Sequence, residues 1–222
     1  MMLRAVACLA AVTLLVSACT LPKRPSAPLP SAAPGSVEGL AAAIEADSDR
    51  SDHESDAKVR TQLADEASSY ADACLAKAPQ AAACLYGRGV ASGLQARAHP
   101  TRAGELLKSM LDSLSSADAA DPNYDHAGPS RVRALVLIRA PGWPLGPGDP
   151  ELGLDSAHRA VKLQPDYPPN LLALAEALAK NGDANGARDA YARARDAANA
   201  LPPTNQGRQG WLREANQGLQ GK

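Results

Sequence analysis

The chain has 222 residues, a formal net charge of −1, two Trp, five Tyr and no Phe. A near-neutral balance with no basic stripe and few aromatic residues argues against nucleic-acid binding. A core without Phe must be built from Ala, Leu and Val, which favours closely packed helices over a roomy aromatic pocket. No apolar alternation is sustained for more than a few residues, so strands are not expected.

The first nineteen residues read MMLRAVACLAAVTLLVSAC, with one Arg, an apolar run from Ala5 to Val16 and small residues before a cysteine. So short an apolar run with that flank is a secretory signal and not a spanning helix. Val16-Ser17-Ala18-Cys19 resembles the bacterial lipobox. The resemblance implies a signal peptide over 1–18, acylation of Cys19 with palmitate-type chains, and a mature lipoprotein anchored to the membrane. Each buried methylene contributes about 0.8 kcal/mol, so several chains on one residue hold durably. Thr20, where inner-membrane lipoproteins carry Asp, implies sorting to the outer membrane with the protein facing the periplasm. Residues 19–35 include Pro22, Pro25, Pro28, Pro30 and Pro34 and read as an extended tether. At about 3.1 Å per residue it reaches roughly 50 Å.

Residues 36–222 form the foldable domain. Val37 to Ala46 reads as a short helix capped by Ser36, with Leu40 and Ile44 on one face. The run from Asp47 to Asp56 carries acids at alternating places but lacks the central Gly and final Glu of a calcium loop, so a solvated loop is expected. Asp56 to Ala78 then presents Val59, Leu63, Ala67, Tyr70 and Cys74 as an amphipathic stripe.

Cys74 stands five residues before Pro79 and Cys84 five after it, so antiparallel helices joined there bring the two level. With Cys8 removed and Cys19 acylated they are the two remaining thiols, and in an oxidising compartment a disulfide between them is expected. His99-Pro100-Thr101 breaks one helix and starts another. Asp121-Pro122-Asn123-Tyr124 and Gln164-Pro165-Asp166-Tyr167 are the same turn 43 residues apart, each placing a Tyr before a helix. Ala140 to Pro150 holds four Pro and three Gly in eleven residues around Trp143 and Pro144. Such a stiff excursion either folds Trp143 back as a plug or displays it as a binding anchor.

The strongest pattern lies from Asp149 to Ala200. Gly153, Ala157, Ala160 and Pro165 are answered by Ala187, Tyr191, Ala194 and Asn199, each 34 residues on. Between them, Leu171, Leu174, Ala175 and Leu178 mark one apolar helix face before the turn Asn181-Gly182-Asp183. Pro79, Pro122 and Pro165 recur every 43 residues, the excess falling around residues 95–101 and 140–150. After Pro122 the phase loosens: strict counting makes Gly128 the first bulky position, while Ala134 and Leu137 suit the next two better.

Leu171, Ala175, Leu178, Ala187, Tyr191 and Ala194 resemble the tetratricopeptide repeat pattern. That resemblance implies an all-α, right-handed solenoid of helical hairpins, here with extended inter-helix loops. Ala127-Gly128-Pro129 with Arg131, Ala140 to Pro144 with Gly148-Asp149, and Pro165 to Asn170 with Ala175 to Leu178 further resemble the periplasmic repeat lipoproteins associated with tripartite ATP-independent (TRAP) transporters. This second likeness covers about a third of the chain, from residue 124 to 194. It implies an adaptor that holds a solute-binding protein at the membrane, with homo-oligomers left open.

Trp143, Pro144, Arg131 and Glu176 are the candidate partner-binding residues; Arg131 and Glu176 either read a carboxylate or peptide, or form a surface charge pair. Two other readings stand beside the adaptor, a scaffold for envelope assembly and a hydrolase with a site assembled across helices. No phosphate loop, HExxH or nucleophile elbow occurs, and the four His lack ligand spacing. Neither catalysis nor a metal or cofactor is expected.

Overall fold

The structure is a computed structural model that describes residues 35–221. The signal, Cys19 and the tether as far as Pro34 lie outside the described residues. Within the described residues there are nine α-helices and no strand: α1 Val37–His53, α2 Ala57–Lys77, α3 Ala82–Ala98, α4 Ala103–Ala120, α5 Tyr124–Arg139, α6 Pro150–Leu163, α7 Pro168–Lys180, α8 Ala184–Ala200 and α9 Arg208–Leu219. No described helix is long and apolar enough to cross a membrane.

Local chemistry sets most boundaries. Ser36, Asp56, Asp149 and Asp183 each accept a hydrogen bond from a backbone N–H of the first turn of the helix that follows. Pro150 and Pro168 open α6 and α7, where a missing N–H costs nothing. A single 3-10 turn, Pro100–Arg102, separates α3 from α4.

Consecutive helices pack against one another throughout. Odd-numbered helices also touch the next odd one, α1 with α3 and on to α7 with α9, whereas no even-numbered helix touches another even one. The odd helices therefore form a continuous row, with each even helix wedged between its hairpin partner and the next odd helix. Small residues make that spacing feasible: Ala64, Ala67, Ala71, Ala117, Ala157, Ala160, Ala194 and Ala198 are all fully buried or nearly so. Larger side chains such as Ile44, Leu63, Leu114 and Leu171 fill the joints, each contributing roughly 1.5–3 kcal/mol by burial.

The acidic run is not a loop. Helix α1 continues to His53, leaving Glu54 to Asp56 as the only non-helical link to α2. Leu40, Ile44, Asp47 and Ser51 prolong the buried stripe at helical spacing, and Arg97 of α3 reaches across to Asp52 and to the Ser51 hydroxyl. Asp47 is only 4% exposed. Its Oδ1 accepts from Arg50 at 3.3 Å, while its Oδ2 and Glu66 Oε2 of α2 have no partner among the described residues.

Burial first and the Glu66 charge second raise the Asp47 carboxyl to about 6, against the opposing pull of Arg50. Because the folded state holds this proton more tightly than the unfolded one, the stabilisation is present below the ordinary Asp value of 3.8 and is lost as pH rises through about 6. Asp47→Asn should accordingly stabilise the fold at pH 7.5 by on the order of 1–2 kcal/mol, with the gain gone by about pH 4. Urea unfolding at both pH values checks it, and a gain that persists unchanged at acid pH contradicts the assignment.

Cys74 and Cys84 are joined by a disulfide across the α2–α3 turn, with Cα atoms 5.3 Å apart and both residues fully buried. Alkylation in denaturant without reductant should leave both unlabelled. Replacing both with Ser should cost about 3 kcal/mol through the closed loop.

Candidate functional site

Two features depart from regular helical packing. They are the connection between α5 and α6, and the first turn of α5.

The connection is a closed loop. Gly148 N–H donates to the Pro141 carbonyl at 2.9 Å, Leu145 and Gly146 N–H donate to the Gly142 carbonyl at 3.0 and 3.2 Å, and Asp149 N–H donates to Leu137 at 2.9 Å. A methyl on Gly148 would run into the Ala140 carbonyl and lie 2.8 Å from that of Pro141, so the backbone can close here only over Gly. At its base the Asp149 carboxylate caps α6 through Leu152 N–H at 3.0 Å, and the Asn181 amide donates to the Pro150 carbonyl at 2.9 Å. The Trp143–Pro144 peptide is cis.

Trp143 is 91% exposed and Leu145 79%. The indole does not fold back over the hairpin. Together with Leu152, these are the exposed large hydrophobic residues of the described structure. Trp143 and Leu145 thus present exposed apolar side chains on one hydrogen-bonded loop, the kind of surface through which proteins commonly bind partners.

The first turn of α5 explains why the repeat phase slips after Pro122. Asp125, His126 and Ala127 have φ of 48°, 53° and 64°, the left-handed region that costs roughly 1–2 kcal/mol per residue outside Gly. Pro129 lacks an N–H and would clash with the carbonyl four residues back in a continuous helix, so the regular part of α5 begins with Pro129 in its first turn. From there Ala134 and Leu137 face the core.

Arg131 and Asn170 hold the unusual turn. Arg131 donates to the Asp125 and His126 carbonyls at 3.1 and 3.3 Å, to Asp125 Oδ2 at 2.6 Å and to Asn170 Oδ1 at 3.1 Å. The Asn170 amide, fully buried, donates to the carbonyls of His126, Ala160 and Gln164 at 3.0, 3.2 and 3.3 Å. Arg131 is therefore a buried internal tie, and its expected exposure to a partner is corrected: only 11% of its side chain reaches solvent.

Aromatic groups gather around this tie. His126 stacks on Tyr167 with centroids 4.3 Å apart, Trp211 of α9 meets Tyr167 edge-on at 5.7 Å, and the Arg131 guanidinium lies over the Tyr167 ring. Tyr86 donates to Asp125 Oδ2 at 3.2 Å and packs edge-on against Tyr124 at 5.3 Å. Burial, reinforced by the nearby charges of Glu45 and Asp125, pushes the Tyr124 phenol up to about 12. Burial and the neighbouring Asp125 and Asp49 likewise raise Glu45. Both Tyr residues placed before helices by the recurring Pro turn thus pack across joints.

Glu176 has a different partner from the one considered in the sequence. Arg139 grips it through two hydrogen bonds of 2.7 and 2.5 Å, and Arg139 is raised chiefly by that contact. Glu176 and Arg131 are not brought together. No group of His, Cys, Asp or Glu among the described residues is arranged to hold a metal ion.

Compared with known proteins, the chain matches no protein family and no curated sequence.

Proposed function

We propose that this protein is a membrane-anchored, periplasm-facing lipoprotein of tetratricopeptide kind that works by binding, as an adaptor for a TRAP-type transporter and its solute-binding protein. The repeat reading is supported by the unbroken row of odd helices with separated even helices, the contact pattern that stacked two-helix repeats produce. The 34-residue small-residue code between α6 and α8 supports it independently, since Gly153, Ala157, Ala160, Ala187 and Ala194 are all buried at helix contacts. Anchoring rests on the apolar signal and Cys19.

The observation that carries the binding role is Trp143, almost fully exposed on a loop whose own hydrogen bonds hold it closed. A pre-shaped loop loses little conformational freedom on association, so an exposed indole there converts burial into affinity efficiently.

The test uses the full-length protein in its native envelope with a photo-crosslinking residue in place of Leu145. The wild-type chain should fractionate with the membrane, Cys19→Ala should move to the soluble or uncleaved precursor fraction, and the crosslink should capture a periplasmic solute-binding protein. Membrane retention of Cys19→Ala without lipid on the mature protein removes the anchor. A crosslink only to an envelope-assembly component replaces the transporter reading with the scaffold one.

A further inference from the structure

Away from the loop tip, α4, α5 and α6 line an open cleft of about 340 Å3, at the small end of the roughly 300–1,000 Å3 typical of ligand pockets. Asp118, Ser130, Arg133, Asp155, Ser156 and Arg159 contribute its polar lining, with Leu152 as the large apolar side chain.

Most of these groups satisfy one another. Asp118 accepts from the Ser130 hydroxyl at 2.8 Å and from Arg159 at 2.9 and 3.1 Å. The Ser156 hydroxyl donates to the Leu152 carbonyl at 2.8 Å and accepts from Arg133 at 3.0 Å. One cation and one anion are left over. Arg133, half-buried, makes that single hydrogen bond and no ion pair among the described residues, although a guanidinium carries five N–H donors. Asp155, on the next helix, has no hydrogen-bond or ionic partner among the described residues. The two line the same cleft without forming an ion pair with each other. Leu152, 46% exposed, offers apolar surface beside them.

We propose that this cleft binds a small α-amino acid in its zwitterionic form, its carboxylate on Arg133, its ammonium on Asp155 and an apolar side chain against Leu152. Planar, forked donors on Arg133 suit a carboxylate. Two carboxylates in the lining disfavour a phosphate dianion, and two guanidinium groups disfavour a simple cation, so a ligand carrying both charges meets the residual pair best. The cleft's volume suits a single amino acid. This proposal does not depend on what the Trp143 loop binds.

Calorimetric titration of the folded protein tests it with three probes: L-leucine, leucinamide, which lacks the carboxylate, and N-acetyl-leucine, which lacks the ammonium. L-leucine should bind saturably, and each of the others at least about tenfold more weakly. Arg133→Met keeps the apolar stem and should cost L-leucine about tenfold while changing leucinamide little. Asp155→Asn, at an exposed position, should cost L-leucine similarly and N-acetyl-leucine little. Helical content of both variants is checked by circular dichroism, and Asp155→Asn alone decides if Arg133→Met misfolds. No saturation by L-leucine at about 10 mM overturns the proposal. So does equal affinity for all three probes, or binding of L-leucine that Asp155→Asn leaves unchanged.

Discussion

Replacing Asn170 with Ala should destabilise the protein by about 3 kcal/mol and lower its melting temperature by about 10 °C. The effect is large for a polar residue because Asn170 is fully buried and bonds to four groups from two parts of the chain, α5 and the end of α6. With the amide gone, the carbonyls of His126, Ala160 and Gln164 each lose one of their donors in a site that water reaches poorly, keeping Arg131, the Gln164 N–H and the Tyr167 N–H respectively, and each lost bond costs about 1 kcal/mol. Arg131 loses its Asn170 contact as well, and with it part of the grip that keeps Asp125, His126 and Ala127 left-handed. Asn181→Ala is the matched control. Asn181 also donates to two carbonyls, but it is exposed, so water replaces it and the cost should stay near or below about 1 kcal/mol. Thermal and urea unfolding of both variants measure the difference. Equal small losses would show that the left-handed turn is held by packing around Pro129 and not by this network.

That network also shows where the sequence is legible and where it is not. Helix positions and the buried faces follow from local spacing, because one Ala per turn is enough to let two helices approach and the spacing repeats at 34 residues. The joints are legible for the same reason: a Pro ends the turn and a Tyr follows it. The disulfide could be anticipated from symmetry about Pro79. The acidic run is helical where its composition suggests a loop, because composition describes an average environment, whereas a single buried carboxylate, Asp47, is set by what α2 brings against it. Arg131 and Glu176 mislead in a related way. Their charges suggest a surface role, but Asn170 for Arg131 and Arg139 for Glu176 lie 39 and 37 residues away, and the Asp125 contact of Arg131 depends on a left-handed turn that helical spacing does not encode. Helix α9 lies beyond the 34-residue spacing and is marked in the sequence only by Trp211, Ala215 and Leu219 at helical intervals. Its Trp211 completes the aromatic contacts of Tyr167, so α9 bears on the site as well as on the fold.

Trp143→Ala should weaken the complex with the captured partner by about 2 kcal/mol or more, roughly thirtyfold, while the melting temperature hardly moves. The second half of this expectation follows from exposure: at 91% accessible the indole has almost no internal contacts to lose, so truncation creates no cavity. The first half follows from the loop's closure, because four Pro and the hydrogen bonds to Pro141, Gly142 and Leu137 fix its shape before any partner arrives. Gly148→Ala separates side chain from scaffold. The added methyl meets the Ala140 and Pro141 carbonyls and must open the loop, while Trp143 itself stays in the sequence. Affinity should fall by a similar factor in this variant if the loop's shape presents the indole, and should survive if Trp143 binds from any conformation. Surface plasmon resonance on both variants, with differential scanning calorimetry alongside, distinguishes these outcomes. Should Trp143→Ala instead lower the melting temperature by several degrees and leave affinity intact, the indole would be packing against the fold in solution, and the adaptor role would lose the one observation on which it chiefly rests.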